Sequence, residues 1–279
     1  MKTIRSLVAM RRWRKSAEGR VVLVPTMGAL HHGHAALIRR ARRLAGSRGK
    51  VAVTIFVNPT QFGPREDFAS YPRPLSSDLA LCAENGANVV FHPSVDAMYS
   101  GDLSVSVDEE VLSQTLCGKS RAGHFRGVCT VVAKLFLIAQ PSDAVFGEKD
   151  WQQLAILRRM VRDLNFPVRV LGHPTVREGD GLATSSRNAY LTADERRDAP
   201  QIFRALHAAA SRPDRPPQVM RAAAAAIAKI PGARIDYVEA VEAATLAPLK
   251  NRRMLGRLAA AVFLGRARLI DNVPLPVVS

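Results

Sequence analysis

His31, His32 and His34 crowd one turn of the stretch Val21 to Ile38, VVLVPTMGALHHGHAALI. His31 and His34 are three apart with Gly33 between them, so on the first turn of a helix their imidazoles share one face. Two donors at that spacing can grip one polyphosphate. The same spacing also suits half of a zinc site, or a surface turn that happens to be rich in histidine. No cysteine or acidic residue stands nearby at ligand spacing to complete a metal set. Around the histidines, Val21 to Val24 form a β-branched apolar run suited to a buried parallel strand, and Pro25 is expected to stop it for want of an N–H. Helical spacing resumes with Ala35, Ala36, Leu37, Ile38 and Ala41. Met27, Gly28, Ala29, Leu30 and the histidines therefore sit at a helix N-terminus, where unpaired N–H groups and the helix dipole attract anions and glycines allow close approach.

Two more strand ends carry polar groups. Val51 to Val57 reads as a buried strand that runs into Asn58 and Gln61, and Ala144 to Phe146 as one that runs into Gly147, Glu148, Lys149 and Asp150. Helices are expected over His34 to Leu44, Ser76 to Asn85, Val128 to Ala139 and Trp151 to Leu164, with further short strands at Val89 to His92 and Val168 to Leu171. Such alternation is that of an α/β fold, a Rossmann-like doubly wound parallel sheet, in which ligands bind outside the carboxyl ends of the strands. All three polar strand ends would then lie on one edge. From Val176 the character changes: Arg177 to Arg187 (REGDGLATSSR) is a polar loop holding Thr184, Ser185, Ser186 and Arg187, and Thr192-Ala193-Asp194-Glu195 is a helix-capping pattern. Pro213 to Pro217 reads as a linker, and the helix Met220 to Ile230 with strands at 235–241, 257–264 and 267–270 as a small α+β unit. The expected domains are 1–175, nucleotide-binding and catalytic, and 176–279, a smaller α+β lid. There is no Gly-x-x-x-x-Gly-Lys-Ser/Thr run, which excludes a P-loop enzyme.

A formal charge of +16 and a pI near 10.8 raise the question of nucleic acid. The arginines, however, fall in helical clusters (Arg39, Arg40, Arg42, Arg43; Arg158, Arg159, Arg162; Arg252, Arg253, Arg257) expected to be mostly solvated faces, and only 6% of residues are aromatic, too few for a stacking platform. No specific nucleic-acid partner and no membrane partner are expected: no stretch is long and apolar enough to span a bilayer, and MKTIRSLVAMRRWRK lacks the apolar core of a signal peptide. Cys82, Cys117 and Cys129, without paired spacing, point to a reducing, cytoplasmic setting.

Six collinear blocks then carry a family likeness: PTMGALHHGH (25–34), IFVNPTQF (55–62), YPR (71–73), RAGHFRGV (121–128), FGEKDWQQL (146–154) and DGLATSSRN (180–188), with LIDN (269–272) as a weaker echo. In these the chain resembles the pantoate–β-alanine ligases, members of the HIGH-type nucleotidyltransferase superfamily that also holds the class I aminoacyl-tRNA synthetases. The resemblance implies a ligase dependent on ATP and Mg2+, with (R)-pantoate and β-alanine as its other substrates, a pantoyl-adenylate intermediate, and a homodimer formed through the larger domain. It further implies that Met27, Gly28, Ala29, Leu30, His31, His32, Gly33 and His34 line the ATP site together with Gly147, Glu148, Lys149, Asp150, Val176, Thr184, Ser185, Ser186 and Arg187. His34, His31, Lys149 and Arg187 would be catalytic, Gln61 and Gln153 would hold pantoate, and Gln61 would also meet β-alanine. Asn58 and Arg121 are further candidates, and no metal ligand is assigned. Within the superfamily an adenylyltransferase acting on a phosphorylated acceptor is the alternative, but that acceptor calls for basic residues where Gln61 and Gln153 stand. His32, and Ser76 and Ser77 before Asp78, depart from positions where the family is often acidic.

Overall fold

Strands covered on both faces need unbroken apolar runs, and two such runs, Val21 to Val24 and Val51 to Val53, lie fully buried in the middle of a six-stranded sheet. The computed structural model describes residues 1–64, 66 and 68–278. In chain order its elements are β1 (Lys2–Ile4), α1 (Leu7–Ser16), β2 (Val21–Thr26), α2 (His32–Ala45), β3 (Lys50–Ile55), α3 (Leu75–Glu84), β4 (Val89–Phe91), α4 (Val95–Met98), α5 (Leu116–Ser120), α6 (His124–Ala139), β5 (Asp143–Gly147), α7 (Trp151–Asp163) and β6 (Arg169–His173). There follow α8 (Ala193–Asp198), α9 (Pro200–Ala210), α10 (Pro216–Ile227), β7 (Ala233–Glu242), β8 (Gly256–Leu264) and β9 (Ala267–Leu275).

The chain divides into two units. The first comprises Met1–Glu110, Arg121–Glu148 and Ile156–Pro174; the second comprises Val111–Ser120, Lys149–Ala155 and Thr175–Ser279. The linear division at 175/176 leaves out the two short segments that join the second unit.

In the first unit the sheet is parallel throughout, in the order β1-β4-β3-β2-β5-β6. This is a Rossmann-like arrangement. From β2 the chain runs outward through β3 and β4, then returns to the other side of β2 with β5, so the order reverses between β2 and β5. At such a reversal a crevice opens outside the carboxyl ends of the strands. On one face Leu37, Ile38 and Ala41 of α2 and Cys82 of α3 pack on Val22, Val24, Val51, Val53 and Val145. At the opposite end of the strands the fully buried Asp143 accepts from Arg20 Nη2 (2.9 Å) and Arg169 Nε (2.8 Å), which fixes β5 beside β2 and β6.

The second unit is built on the antiparallel sheet β7-β8-β9. Ile202, Leu206 and Ala209 of α9 and Val219, Ala223 and Ile227 of α10 bury against Leu258, Ala260, Val262 and Leu269. Thr192 and Glu195 form the expected reciprocal cap at the start of α8.

Several expectations from the sequence are corrected. Pro25 does not stop β2, which continues to Thr26, because β2 pairs with β5 only at Val22 and Leu23; beyond these no partner on that side needs the missing N–H. α6 begins at His124 rather than at the expected Val128, since Gly123 takes a left-handed φ of 77° and turns the chain into the helix there. Pro216 and Pro217 open α10 instead of linking, in the first-turn position where proline's missing N–H costs nothing. The arginine clusters keep mostly exposed or half-exposed positions, as expected, but two of their members are structural. Arg42 donates to Asn88 Oδ1 and Gly49 O at 2.9 and 2.8 Å, and Arg252 is 6% exposed, holding the carbonyls of Pro276, Ala210 and Arg212. Among the described residues no helix is long and apolar enough to cross a membrane.

Candidate functional site

The histidine turn leaves the carboxyl end of β2 and is held from three directions. Thr26 Oγ1 donates to Thr54 O (2.6 Å) at the end of β3 and accepts from the N–H of Gly28 (3.3 Å). Gly28 and Ala29 then adopt φ of 91° and 50°, in the left-handed region that reverses the chain. Asp78 of α3, 1% exposed, accepts the N–H of Ala29 on Oδ2 (2.9 Å) and of Leu30 on Oδ1 (2.7 Å). Burial pushes its carboxyl above the ordinary range even though those two N–H groups pull it back.

His31 is the N-cap of α2, and its own N–H donates to Nδ1 of His34 (3.3 Å). With Nδ1 accepting, a neutral His34 carries its proton on Nε2 and can donate from there. The two rings lie 4.1 Å apart, centroid to centroid, so the expected shared face exists; His32 is exposed, with its ring 6.2 Å from that of His31.

Gln61 joins this group. Its Nε2 lies 2.8 Å from Met27 Sδ, and its Oε1 accepts from Asn58 Nδ2 at 3.2 Å. Asn58, 1% exposed, also donates to Gly127 O (3.1 Å) and accepts from Tyr99 (2.7 Å) and Thr60 (3.0 Å), so it orients Gln61 rather than facing a ligand. Behind Gln61, His124 Nδ1 lies 2.7 Å from its carbonyl oxygen and Nε2 2.9 Å from Arg121. Arg121 in turn binds Glu66 through Nε and Nη2 at 2.7 and 2.5 Å. Burial alone would raise the Glu66 carboxyl, but the Arg121 guanidinium brings it below its ordinary value. Gly147 and Glu148, at the end of β5, share the strand-end edge with this turn.

In the second unit a different set is brought together. Thr184 N–H donates to Val176 O (3.0 Å), and Arg177 pairs with Ala183, so residues 176–184 of the 176–187 loop form a tight two-stranded turn. Ser185 Oγ accepts from the N–H of Arg187 at 3.3 Å and caps the short helical turn Ser186–Tyr190. Lys149 and Ser185 border the same small cavity, about 10 Å3, together with Asn188 and Asp271. Lys149 Nζ lies 3.8 Å from Asp150 Oδ2, and its side chain is 18% exposed against 46% for Asp150. Gln153 is half-buried on α7. Its neighbour Gln152 is structural: it is 5% exposed, accepts from Cys117 N–H (2.9 Å) and donates to the carbonyls of Leu112 and Thr115 (2.8 and 2.7 Å).

Sequence reasoning left Asp78, Tyr99 and His124 out of the site. The only signal for Asp78 was an acid one turn into an apolar helix; its hold on the turn is a contact across 48 residues. Taken together, the first unit offers imidazole and backbone donors beside the Gln61 amide, and the second a lysine, two serines, an arginine and the Gln153 amide. Donors of both kinds suit an anion such as a polyphosphate, whereas the amides suit a hydroxylated acid. Among the described residues no group of three histidine, cysteine or acidic side chains is placed to hold a metal.

Residues 1–274 match the family model for pantoate-beta-alanine ligase. A pantothenate synthetase of Akkermansia muciniphila is 53% identical over 258 residues, covering 91% of this chain and 92% of that protein. Among solved structures, the pantothenate synthetase of Thermus thermophilus superposes with a TM-score of 0.91 at 45% identity, over 99% of this chain and 100% of that one. The pantoate-beta-alanine ligase of Francisella tularensis, solved in complex with beta-gamma ATP and beta-alanine, gives a TM-score of 0.82 at 31% identity, over 98% and 97% of the two chains.

Proposed function

The chain belongs to the pantoate–β-alanine ligase family, and we propose that the residues around its histidine turn and its 176–187 loop carry that family's reaction. It is an ATP-dependent ligase that joins (R)-pantoate to β-alanine, giving pantothenate, AMP and pyrophosphate through a pantoyl adenylate. In the first step a pantoate carboxylate oxygen bonds to the α-phosphorus of ATP and the bond to pyrophosphate breaks. In the second, the β-alanine nitrogen bonds to the acyl carbon, the bond to the bridging oxygen breaks so that AMP leaves with that oxygen, and the nitrogen loses a proton. A free carboxylate is a poor acyl donor; the adenylate supplies a good leaving group.

The first step needs positioned reactants and neutralisation of the negative charge that grows on the departing pyrophosphate. We assign that charge to His34 Nε2–H, His31, the N–H groups opening α2, Lys149 and Arg187, with Ser185, Ser186 and Thr184 alongside. Met27 to Gly33, Gly147, Glu148 and Val176 border the nucleotide and Asp150 takes a ribose hydroxyl. Gln61 and Gln153 hold pantoate, and Gln61 also meets β-alanine. The observation that carries this reading is the His31 N–H bond to His34 Nδ1, which leaves Nε2 as the donor in a turn already fixed by Asp78. Magnesium fits as an ion carried on the ATP phosphates. Among the described residues no three-ligand protein group offers itself, both Asp78 oxygens are taken by backbone N–H groups, and magnesium characteristically binds through substrate phosphates and water. Its contribution when bound is to offset pyrophosphate charge.

The second unit is read as a lid. A homodimer through the first unit is supported by Leu103 and Val105, two apart in an irregular stretch and 43% and 77% exposed. A cytoplasmic setting is supported by Cys82, Cys117 and Cys129, all buried free thiols. The test is pyrophosphate release from ATP and magnesium with pantoate alone, β-alanine alone or both, for the native chain and His34→Ala. Pantoate-dependent release that cycles only with β-alanine, and collapses in the variant, is expected. Undiminished turnover in His34→Ala would remove His34 from the chemistry.

A further inference from the structure

The LIDN stretch (269–272) touches no substrate in the reading above, yet two adjacent residues of it reach both parts of the second-unit phosphate set. Successive side chains of a strand leave from opposite faces, so Asp271 and Asn272 of β9 serve two different segments. Asn272, 4% exposed, donates through Nδ2 to the backbone carbonyl of Lys149 at 3.0 Å. Its Oδ1 accepts from Arg257 Nη1 at 3.2 Å, and the Arg257 guanidinium lies 3.6 Å from the centroid of Trp151. Trp151 is fixed in turn by its Nε1–H bond to Ala243 O (2.9 Å). The backbone just after Lys149 is thereby clamped on both sides.

Asp271, 7% exposed, takes Arg177 in a two-pronged pair of 2.6 and 2.9 Å. Arg177 also donates to Gly181 O (3.1 Å) and stacks 3.7 Å from the centroid of Phe203, which locks the loop that ends in Ser185, Ser186 and Arg187. The Asn272 N–H bond to Asp271 Oδ1 (2.7 Å) links the two halves, and strand pairing with Ala259 and Ala260 of β8 holds the backbone beneath them.

We propose that Asp271 and Asn272 are positioning residues for adenylation, setting the spacing between Lys149 and the Ser185–Arg187 turn so that both meet one phosphate chain. This rests on the reading of Lys149 and Arg187 as phosphate-binding groups. Asn272→Asp keeps size and the acceptor toward Arg257 but removes the donor to Lys149. Asp271→Asn keeps size but breaks the charged pair with Arg177.

The test measures single-turnover, pantoate-dependent pyrophosphate release in both variants and in Lys149→Ala, and separately the attack of β-alanine on supplied pantoyl adenylate. Displacements near 1 Å in a positioning network cost on the order of 10- to 100-fold in rate. The expected result is pyrophosphate release slowed about tenfold or more with the β-alanine step unchanged; the melting temperature falls as well, since each variant leaves a buried group without its partner. Native adenylation rates in Asn272→Asp and Asp271→Asn, with Lys149→Ala impaired, would overturn the proposal alone. Equal loss in both steps would reduce the pair to a structural link and also overturn it. An unimpaired Lys149→Ala would instead remove the phosphate-binding role of Lys149, and the proposal with it. Should Asn272→Asp not fold, Asp271→Asn decides on the same readouts.

Discussion

Replacing Asp78 tests whether the histidine turn is held in place or merely shaped by its own sequence. In Asp78→Asn, whichever way the amide turns, its NH2 meets one of the two backbone N–H groups now bound at 2.9 and 2.7 Å. One bond to a charged acceptor is lost, about 1.5–3 kcal/mol. Part of that is offset because a buried charge disappears, burial being what already raises this carboxyl; a net loss of about 1–2 kcal/mol follows. Asp78→Ala leaves both N–H groups without an acceptor, about 1–3 kcal/mol each and so roughly 2–6 kcal/mol together. At about 1.4 kcal/mol per factor of ten, a turn destabilised by these amounts slows adenylation roughly 5- to 30-fold in the asparagine variant and about 30-fold or more in the alanine variant. Single-turnover pyrophosphate release measures the rate, and urea denaturation shows how much of the loss is global. An alanine variant within about threefold of native rate and with native stability would refute the argument, because about 2 kcal/mol at the turn cannot vanish from both readings.

Three more outcomes are expected. Gly28→Ala forces an L side chain to a φ of 91° with its Cβ 3.0 Å from Asp78 Oδ2 and 3.1 Å from Ile55 Cγ2, and about 1–3 kcal/mol of strain should slow pyrophosphate release roughly 5- to 150-fold. For His173, burial first, and then Arg40 and Arg43, hold the imidazole below its ordinary pKa, so the unfolded chain takes up its proton first as pH falls. The stability its neutral form contributes is present above about pH 6.5 and is lost as pH drops through the lower folded value; His173→Asn should flatten that part of a urea stability curve taken across the histidine range. If Leu103 and Val105 are covered by a second copy, Val105→Lys should shift the protein toward monomer in sedimentation at micromolar concentration, and an unchanged oligomer would place the contact elsewhere.

The elements whose residues answer only to their own neighbours were legible in the sequence. Val21 to Val24 and Val51 to Val53 read as buried strands because both faces of a parallel sheet demand the same apolar residues, and the glycine-histidine turn between strand and helix carried its anion-binding logic in its composition. The edge strand β1 escaped notice because Lys2 and Thr3 are exposed and Ile4 only half-buried, leaving no pattern to read. α1 offered one buried residue, Met10, among basic ones. The recruitment of Val111–Ser120 and Lys149–Ala155 to the second unit depends on partners such as Ala243 for Trp151, 92 residues away, and no local period records such a partner. Asp78 is the sharpest case: as a residue on a helix it is ordinary, and its meaning lies entirely in two N–H groups on another segment.

The sheet order carries a consequence for how the chain comes to be folded. β7, β8 and β9 are successive antiparallel neighbours, a local topology that closes quickly. The first unit is slower by design, since β1 pairs with β4 and β2 with β5, so its earliest strands wait for later ones to emerge from synthesis. The segment around Cys117 waits longest. Its Sγ rests against Tyr237 and Arg268, 120 and 151 residues downstream, so a stretch made before the middle of the chain finds its place only when the last strands have been delivered.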